Sequence, residues 1–373
     1  MFRTEPTILP PAATAAVPFR GATRLLFLLL LGSTGMFLSE GLIWNVYPLL
    51  AAAESGVLPV ALGVALATAI YSLQFAFFAD LICRWRVRDL TAMILLGSVH
   101  GLLLEGVFAD LVFRLPGKVL GLSTIGCAFP ALSWHAALDF VLPFLWLRAL
   151  ATGRVRLDRP DLGLGTPWQP VAGTLFWFSW SLATLHQTRL PGGMPLWVQL
   201  LFVLYPILLF GVLSFLLGRR GTVALPEEIL TPGTRRAVGA FLGLALVLRL
   251  AGLPVKLAAL PFLALIAFYA GLFALWQRYA DREQPDRVSC LFPFAMAFRP
   301  GPYLIWCTAA VSALMLFRQV SGLSAIRTLC SSSSTVQALA WIGFAGLFPV
   351  VVLSRLGGRW LRLRNGRPPQ RGT

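Results

Sequence analysis

Long apolar runs, separated by short basic or Gly- and Pro-rich stretches, recur from one end of the chain to the other. Ten of them, about 25–45, 59–82, 91–112, 128–148, 168–187, 196–218, 237–253, 258–277, 302–318 and 336–353, approach the ~20 residues that a bilayer core demands of a helix. Backbone N–H and C=O groups find no water at that depth, so runs of this length predict helices. The short alternating strands of a membrane barrel are absent from the pattern. The expected fold is therefore all-α, a polytopic transmembrane helical bundle of about ten spans.

Composition strengthens this reading, because 57% of the 373 residues are hydrophobic and only 12% are charged, against about a quarter charged in soluble domains. The net charge of +16 would suit nucleic acid in a soluble protein, but its distribution says otherwise. With the N-terminus inside, the cytoplasmic segments hold 24 of the 31 Lys and Arg residues, the outer loops hold six, and Arg249 lies within the seventh span. That asymmetry is the positive-inside pattern and puts both termini in the cytoplasm. No aromatic-interleaved binding module accompanies the charges, so the expected partners are membrane lipids and not nucleic acid.

Arg148 to Pro167 is the longest hydrophilic break in the first half and sets the expected organisation. It comprises a cytoplasmic segment 1–24, a four-span bundle 25–148, a cytoplasmic linker 149–167, a six-span bundle 168–353 and a basic cytoplasmic tail 354–373. The first apolar run exceeds a signal-peptide core and reads as a retained span. Arg, Ala, Gly and Pro are abundant and Lys118 and Lys256 are the only lysines, a bias expected of high-GC bacterial coding. The expected location is the bacterial inner membrane. No internal repeat is evident, and the five cysteines form no C-x-x-C pair. Residues 115–131, with Pro116, Gly117, Gly121 and Pro130, predict a broken re-entrant or surface piece, and residues 289–297 an interfacial one.

Candidate chemistry enters through acids and imidazoles where lipid-facing chains avoid them. Glu40, Glu105 and His135 lie in the first, third and fourth spans. At ~1.5 Å per residue, all three fall about 8 to 11 Å below the outer boundary. Ionisable groups in hydrocarbon cost roughly 2.5 to 3.5 kcal/mol on insertion scales, so three at one level predict a shared polar site. Gly97, Gly101 and Glu105 recur every four residues, which places Glu105 on a stripe facing another helix. His135 and Asp139, also four apart, share a face, whereas His100 lies about 140° around the helix from Glu105 and is not expected to pair with it.

In this arrangement Glu105 and His135 form the central proton-transfer pair, Asp139 orients His135, and Glu40 supplies a second carboxylate or shares a metal. His and carboxylates are competent metal ligands, but no H-E-x-x-H or comparable spacing specifies a metal, and no cofactor is indicated. Bland assignments are a Glu40–Arg249 pair, solvated Asp80, Asp89 and Asp110 at span ends, structural Gln74, His100, His186 and Gln319, and Trp134, Trp146, Tyr47 and Trp360 as interfacial anchors.

Glu105-Gly106 followed by Ser133 to Asp139 resembles the glutamate and H-x-x-x-N/D elements of the CAAX-type intramembrane proteases. The resemblance covers a small part of the chain. Glu105 lacks that family's second glutamate and following arginine, Glu227 and Glu228 fall late in a loop, and no F-x-x-x-H separates the two segments. Three functions therefore stand side by side. They are an intramembrane enzyme on a lipid or lipid-linked substrate near the outer leaflet, a proton- or cation-coupled transporter, and a membrane-embedded assembly factor without catalysis.

Overall fold

The computed structural model describes residues 19–36, 39, 56–87, 89–152, 208, 209, 211–221, 223, 224, 228–253, 256–283, 295, 296 and 324–364. These are mostly helical. Helix α1 (Gly21–Met36) is followed by α2 (Val57–Arg84) and α3 (Leu90–Leu103), and α3 widens into a π-helical turn, π1 (Leu104–Phe108). After the short α4 (Leu111–Arg114), strands β1 (Lys118–Val119) and β2 (Leu122–Ser123) pair as an antiparallel hairpin. The chain then turns through α5 (Thr124–Gly126) into a thirteen-residue π-helix, π2 (Cys127–Asp139), and on into α6 (Val141–Thr152). The second half contributes α7 (Gly211–Gly218), α8 (Pro232–Ala251), α9 (Ala259–Glu283) and α10 (Ser324–Arg364). Strands β3 (Val223–Ala224) and β4 (Ala295–Met296) join two otherwise distant connections.

Five helices are long and apolar enough to cross a membrane: Val57–Arg84, Leu90–Phe108, Thr124–Leu145, Ala259–Arg282 and Leu339–Arg362. They fall on the second, third, fourth, eighth and tenth expected runs. The shorter apolar α1 lies on the first run and α8 on the seventh. The fifth and ninth runs and most of the sixth lie outside the described residues.

Local chemistry explains the ends of these elements. Asp89 caps α3 by accepting the Ala92 N–H at 2.8 Å, and Thr231 caps α8, where Pro232 occupies the first turn without forfeiting a needed donor. The third run was expected to reach residue 112, but the helix stops after Phe108 because Asp110 is left-handed, with φ 68°. Residues 115–131 do interrupt the helix, with a hairpin whose turn residues Leu120 and Gly121 both have positive φ. Conversely, α10 begins at Ser324, inside a stretch expected to be an outer loop. No Gly or Pro breaks Ser324 to Ala338, so the helix propagates through the serine run.

In lipid, apolar helices gain little by hiding from their surroundings, so close approach and dispersion must hold them together. Small residues provide that approach here. A Cβ added at Gly32 would strike Ser72, and one at Gly35 the Phe75 ring, locking α1 to α2. A Cβ at Gly97 would strike the Ala136 carbonyl, and one at Gly101 the Ala131 carbonyl, so α3 lies directly against π2. Helix α9 packs on α3, and α10 packs on π2. Phe75, Phe78, Phe140 and Phe144 form an aromatic layer between α2, π2 and α6. Exposed Leu62, Leu66, Leu244, Val247, Leu260, Leu347 and Val350 lie on the opposite faces of their helices, as a lipid-facing surface requires.

Candidate functional site

Of the four groups expected at one site, Glu105, His135 and Asp139 meet. His135 Nε2 lies 2.5 Å from Glu105 Oε1, and His135 Nδ1 lies 2.5 Å from Asp139 Oδ2. One imidazole thus bridges two carboxylates. All three side chains are buried, at 3%, 2% and 0% exposure respectively, so neither carboxylate is satisfied by bulk solvent.

Both sources of these side chains are wound more widely than an α-helix. Glu105 projects from π1 and His135 and Asp139 from π2. Single π-turns are a recurring feature of functional positions, and a run of thirteen residues is far longer than usual. Pro130 explains part of it, since it lacks the N–H that an i→i−4 bond would use. Ser133 then donates its hydroxyl to the Ala128 carbonyl at 2.7 Å and lies the same distance from the Trp341 carbonyl, tying π2 to α10. The G-x-x-x-G stripe finishes the arrangement: Gly97 and Gly101 bring α3 within backbone contact of π2, and Glu105, one turn further, meets the imidazole.

Glu40 lies outside the described residues, but its neighbour Ser39 reaches the site. Ser39 is buried, hydrogen-bonds Asp139, and places its hydroxyl 2.6 Å from the Tyr71 hydroxyl. The chain after α1 therefore contributes to the same cluster as π1 and π2. Glu105 Oε2 makes no hydrogen bond among the described residues. That oxygen is the obvious acceptor for a further proton, water or substrate hydroxyl.

His100 does not pair with Glu105, as expected, yet the sequence reading missed its place at the site. Its Nε2 stands 4.0 Å from Asp139 Oδ2, and the fully buried ring packs against Phe75, Phe78 and Phe140. Neither ring nitrogen is hydrogen-bonded among the described residues. A usable signal was its position beside Gly101, because a glycine contact carries its neighbour toward the partner helix as well. Four titratable groups, Glu105, His135, Asp139 and His100, thus follow one another through the interior. Among the described residues no three His, Cys, Asp or Glu side chains are arranged to hold a metal ion.

Several acids expected to be solvated are instead paired. Asp80 is fully buried, accepts the Leu230 N–H at 2.9 Å, and meets Arg235 Nε at 2.5 Å. The hydrogen bond to Asp80 raises the pKa of the Arg235 guanidinium above its ordinary value. Asp89 caps α3 and also accepts the Trp276 indole N–H at 3.0 Å. Asp110 pairs with Arg249, whose expected partner, Glu40, lies outside the described residues. The left-handed turn at Asp110 ends the helix and points that carboxylate at α8. Trp134, expected at an interface, is 3% exposed and belongs to the core. His186, Gln319, Tyr47 and Glu227 lie outside the described residues.

No family model matches the chain, and no curated protein or solved structure matches it either. The functional reading therefore rests on the geometry of the buried Glu–His–Asp cluster.

Proposed function

We propose that this chain is a ten-span bacterial inner-membrane enzyme, with both termini cytoplasmic, that carries out proton transfer on a lipid or lipid-linked substrate near the outer leaflet. The observation that carries this reading is the bridged cluster, Glu105–His135–Asp139, in which Glu105 Oε2 has no hydrogen bond among the described residues. Glu105 Oε2 takes the proton of a substrate hydroxyl or of a water. Glu105 then returns that proton from Oε2 to the substrate or water, while His135, in contact with both carboxylates, offsets the charge of the ionised Glu105. Asp139 fixes the imidazole through Nδ1 and balances its charge, while Ser39 and Tyr71 steady the far carboxylate. With the imidazole doubly protonated the trio holds one net negative charge, and one further proton makes it neutral. Such a group is suited to gaining and losing a single proton in a dry interior.

Untargeted lipid profiling of cells carrying the wild-type chain, Glu105→Gln or neither tests the reading. The expected result is a lipid change that requires Glu105 while both proteins insert in equal amount. A lipid profile identical in all three strains removes the enzyme.

The sequence of four titratable groups, ending at His100, favours a second reading, a proton-coupled transporter, because chains of acids and imidazoles also serve as proton relays in membranes. Purified protein in sealed vesicles distinguishes the two. Transport driven by a pH gradient and abolished by Glu105→Gln supports the relay, and lipid turnover without transport supports the enzyme.

A further inference from the structure

At the end of the molecule where α2 and α9 stop together, Arg84, Arg86, Arg278 and Arg282 line an open cavity of about 720 Å³ together with Trp85 and Asp281. We propose that this cavity binds the headgroup of an anionic phospholipid, independently of the Glu105 cluster. The charges do not cancel locally. Each helix C-terminus supplies roughly half a negative charge, and Asp281 supplies one, against four arginines. Glu228 lies 3.9 Å from Arg84 but is shared with Arg235 at 3.5 Å. Arg278 and Arg282 are exposed and form no ion pair among the described residues. An excess of about one to two positive charges remains, the complement of one phosphodiester.

The apolar surroundings select a lipid over a free phosphate. Phe268, Gly271, Leu275, Arg278 and Arg282 are spaced three or four apart and form one stripe along α9. Phe268 is 41% and Leu275 47% exposed. A Cβ at Gly271 would meet nothing within 4 Å, so the helix face between them is open. Trp85, 43% exposed and stacked on Phe273 with ring centroids 4.9 Å apart, stands where an aromatic side chain anchors at a membrane interface. The stripe thus runs from apolar to basic in the order that acyl chain and headgroup take in a leaflet. Basic pockets beside membrane helices are known to hold anionic headgroups.

Native mass spectrometry of the detergent-purified full chain tests this with phosphatidylglycerol, phosphatidylcholine and inorganic phosphate as separate probes. Phosphatidylglycerol should be retained in preference to phosphatidylcholine by roughly tenfold or more, and the Arg278→Gln/Arg282→Gln double variant should lose that preference. Gly271→Leu, which places a bulky side chain on that open face, should weaken phosphatidylglycerol retention while leaving the protein folded. The exposed Arg362→Gln, outside the cavity, should change nothing. Full displacement of phosphatidylglycerol by inorganic phosphate overturns the lipid assignment. Equal loss in Arg362→Gln, or retained preference in the double variant, overturns the site.

Discussion

Glu105 and Asp80 are both buried acids on apolar helices, yet their surroundings differ in kind. Asp80 lies four residues from the end of α2 and receives a backbone N–H and an arginine that hydrogen-bonds it directly. Its charge is matched and its geometry complete. Among the described residues Glu105 shares its one hydrogen-bond partner, an imidazole, with a second carboxylate, and keeps one oxygen without a hydrogen bond. A saturated, charge-balanced pair fastens two segments together. An under-satisfied, odd-numbered cluster is costly to keep and retains the capacity to react.

Exchanging the two acids for uncharged residues should produce opposite results. Glu105→Gln should lower the activity found by lipid profiling by roughly 100- to 10,000-fold, the range for a general acid or base, with unfolding in mixed micelles unchanged. Asp80→Ala leaves Arg235 and the Leu230 N–H stranded and should cost about 3 to 5 kcal/mol of stability, measured by the same unfolding titration. If Asp80→Ala spares stability and Glu105→Gln destroys it, the contrast is reversed and the cluster is structural.

Gly101→Val tests whether the glycine contact positions the site, since its side chain must displace the Ala131 carbonyl. A loss of about 1 to 3 kcal/mol is expected, as for other overpacked positions, with activity falling alongside it. His100→Phe sharpens the boundary of the cluster. The ring shape is kept in the aromatic layer, so unfolding should shift by less than about 1.5 kcal/mol and lipid turnover should persist. Lost turnover in a stable His100→Phe protein adds His100 to the proton path. The smallest effect belongs to Arg84→Gln, because the Arg84–Glu228 pair is 3.9 Å apart and exposed. Its stability cost should stay below about 1 kcal/mol.

Much of the site was legible because membrane helices make polar residues conspicuous. Burial in lipid penalises Glu105, His135 and Asp139 equally, and the four-residue spacings of Gly97, Gly101 and Glu105, and of His135 and Asp139, project directly onto helix faces. The spacing rule rightly separated His100 from Glu105 but could not show its approach to Asp139. It measures angles within one helix, and His100 meets Asp139 across the contact between two. Asp80, Asp89 and Asp110 were misjudged for a related reason. Position near a span end says that water is close, but only the folded chain shows that Arg235, Trp276 and Arg249 arrive there first.

Apolar run lengths and the spread of arginines settled by themselves that this is a helical protein suited to a membrane, because backbone hydrogen bonding in hydrocarbon leaves few alternatives. The widened windings at Leu104–Phe108 and Cys127–Asp139, the early end at Phe108 and the long Ser324–Arg364 helix were decided by tertiary structure. So was the choice of partner for each buried charge. Such pairings depend on contacts between helices far apart in the chain, and a one-dimensional pattern of apolar positions carries no record of them.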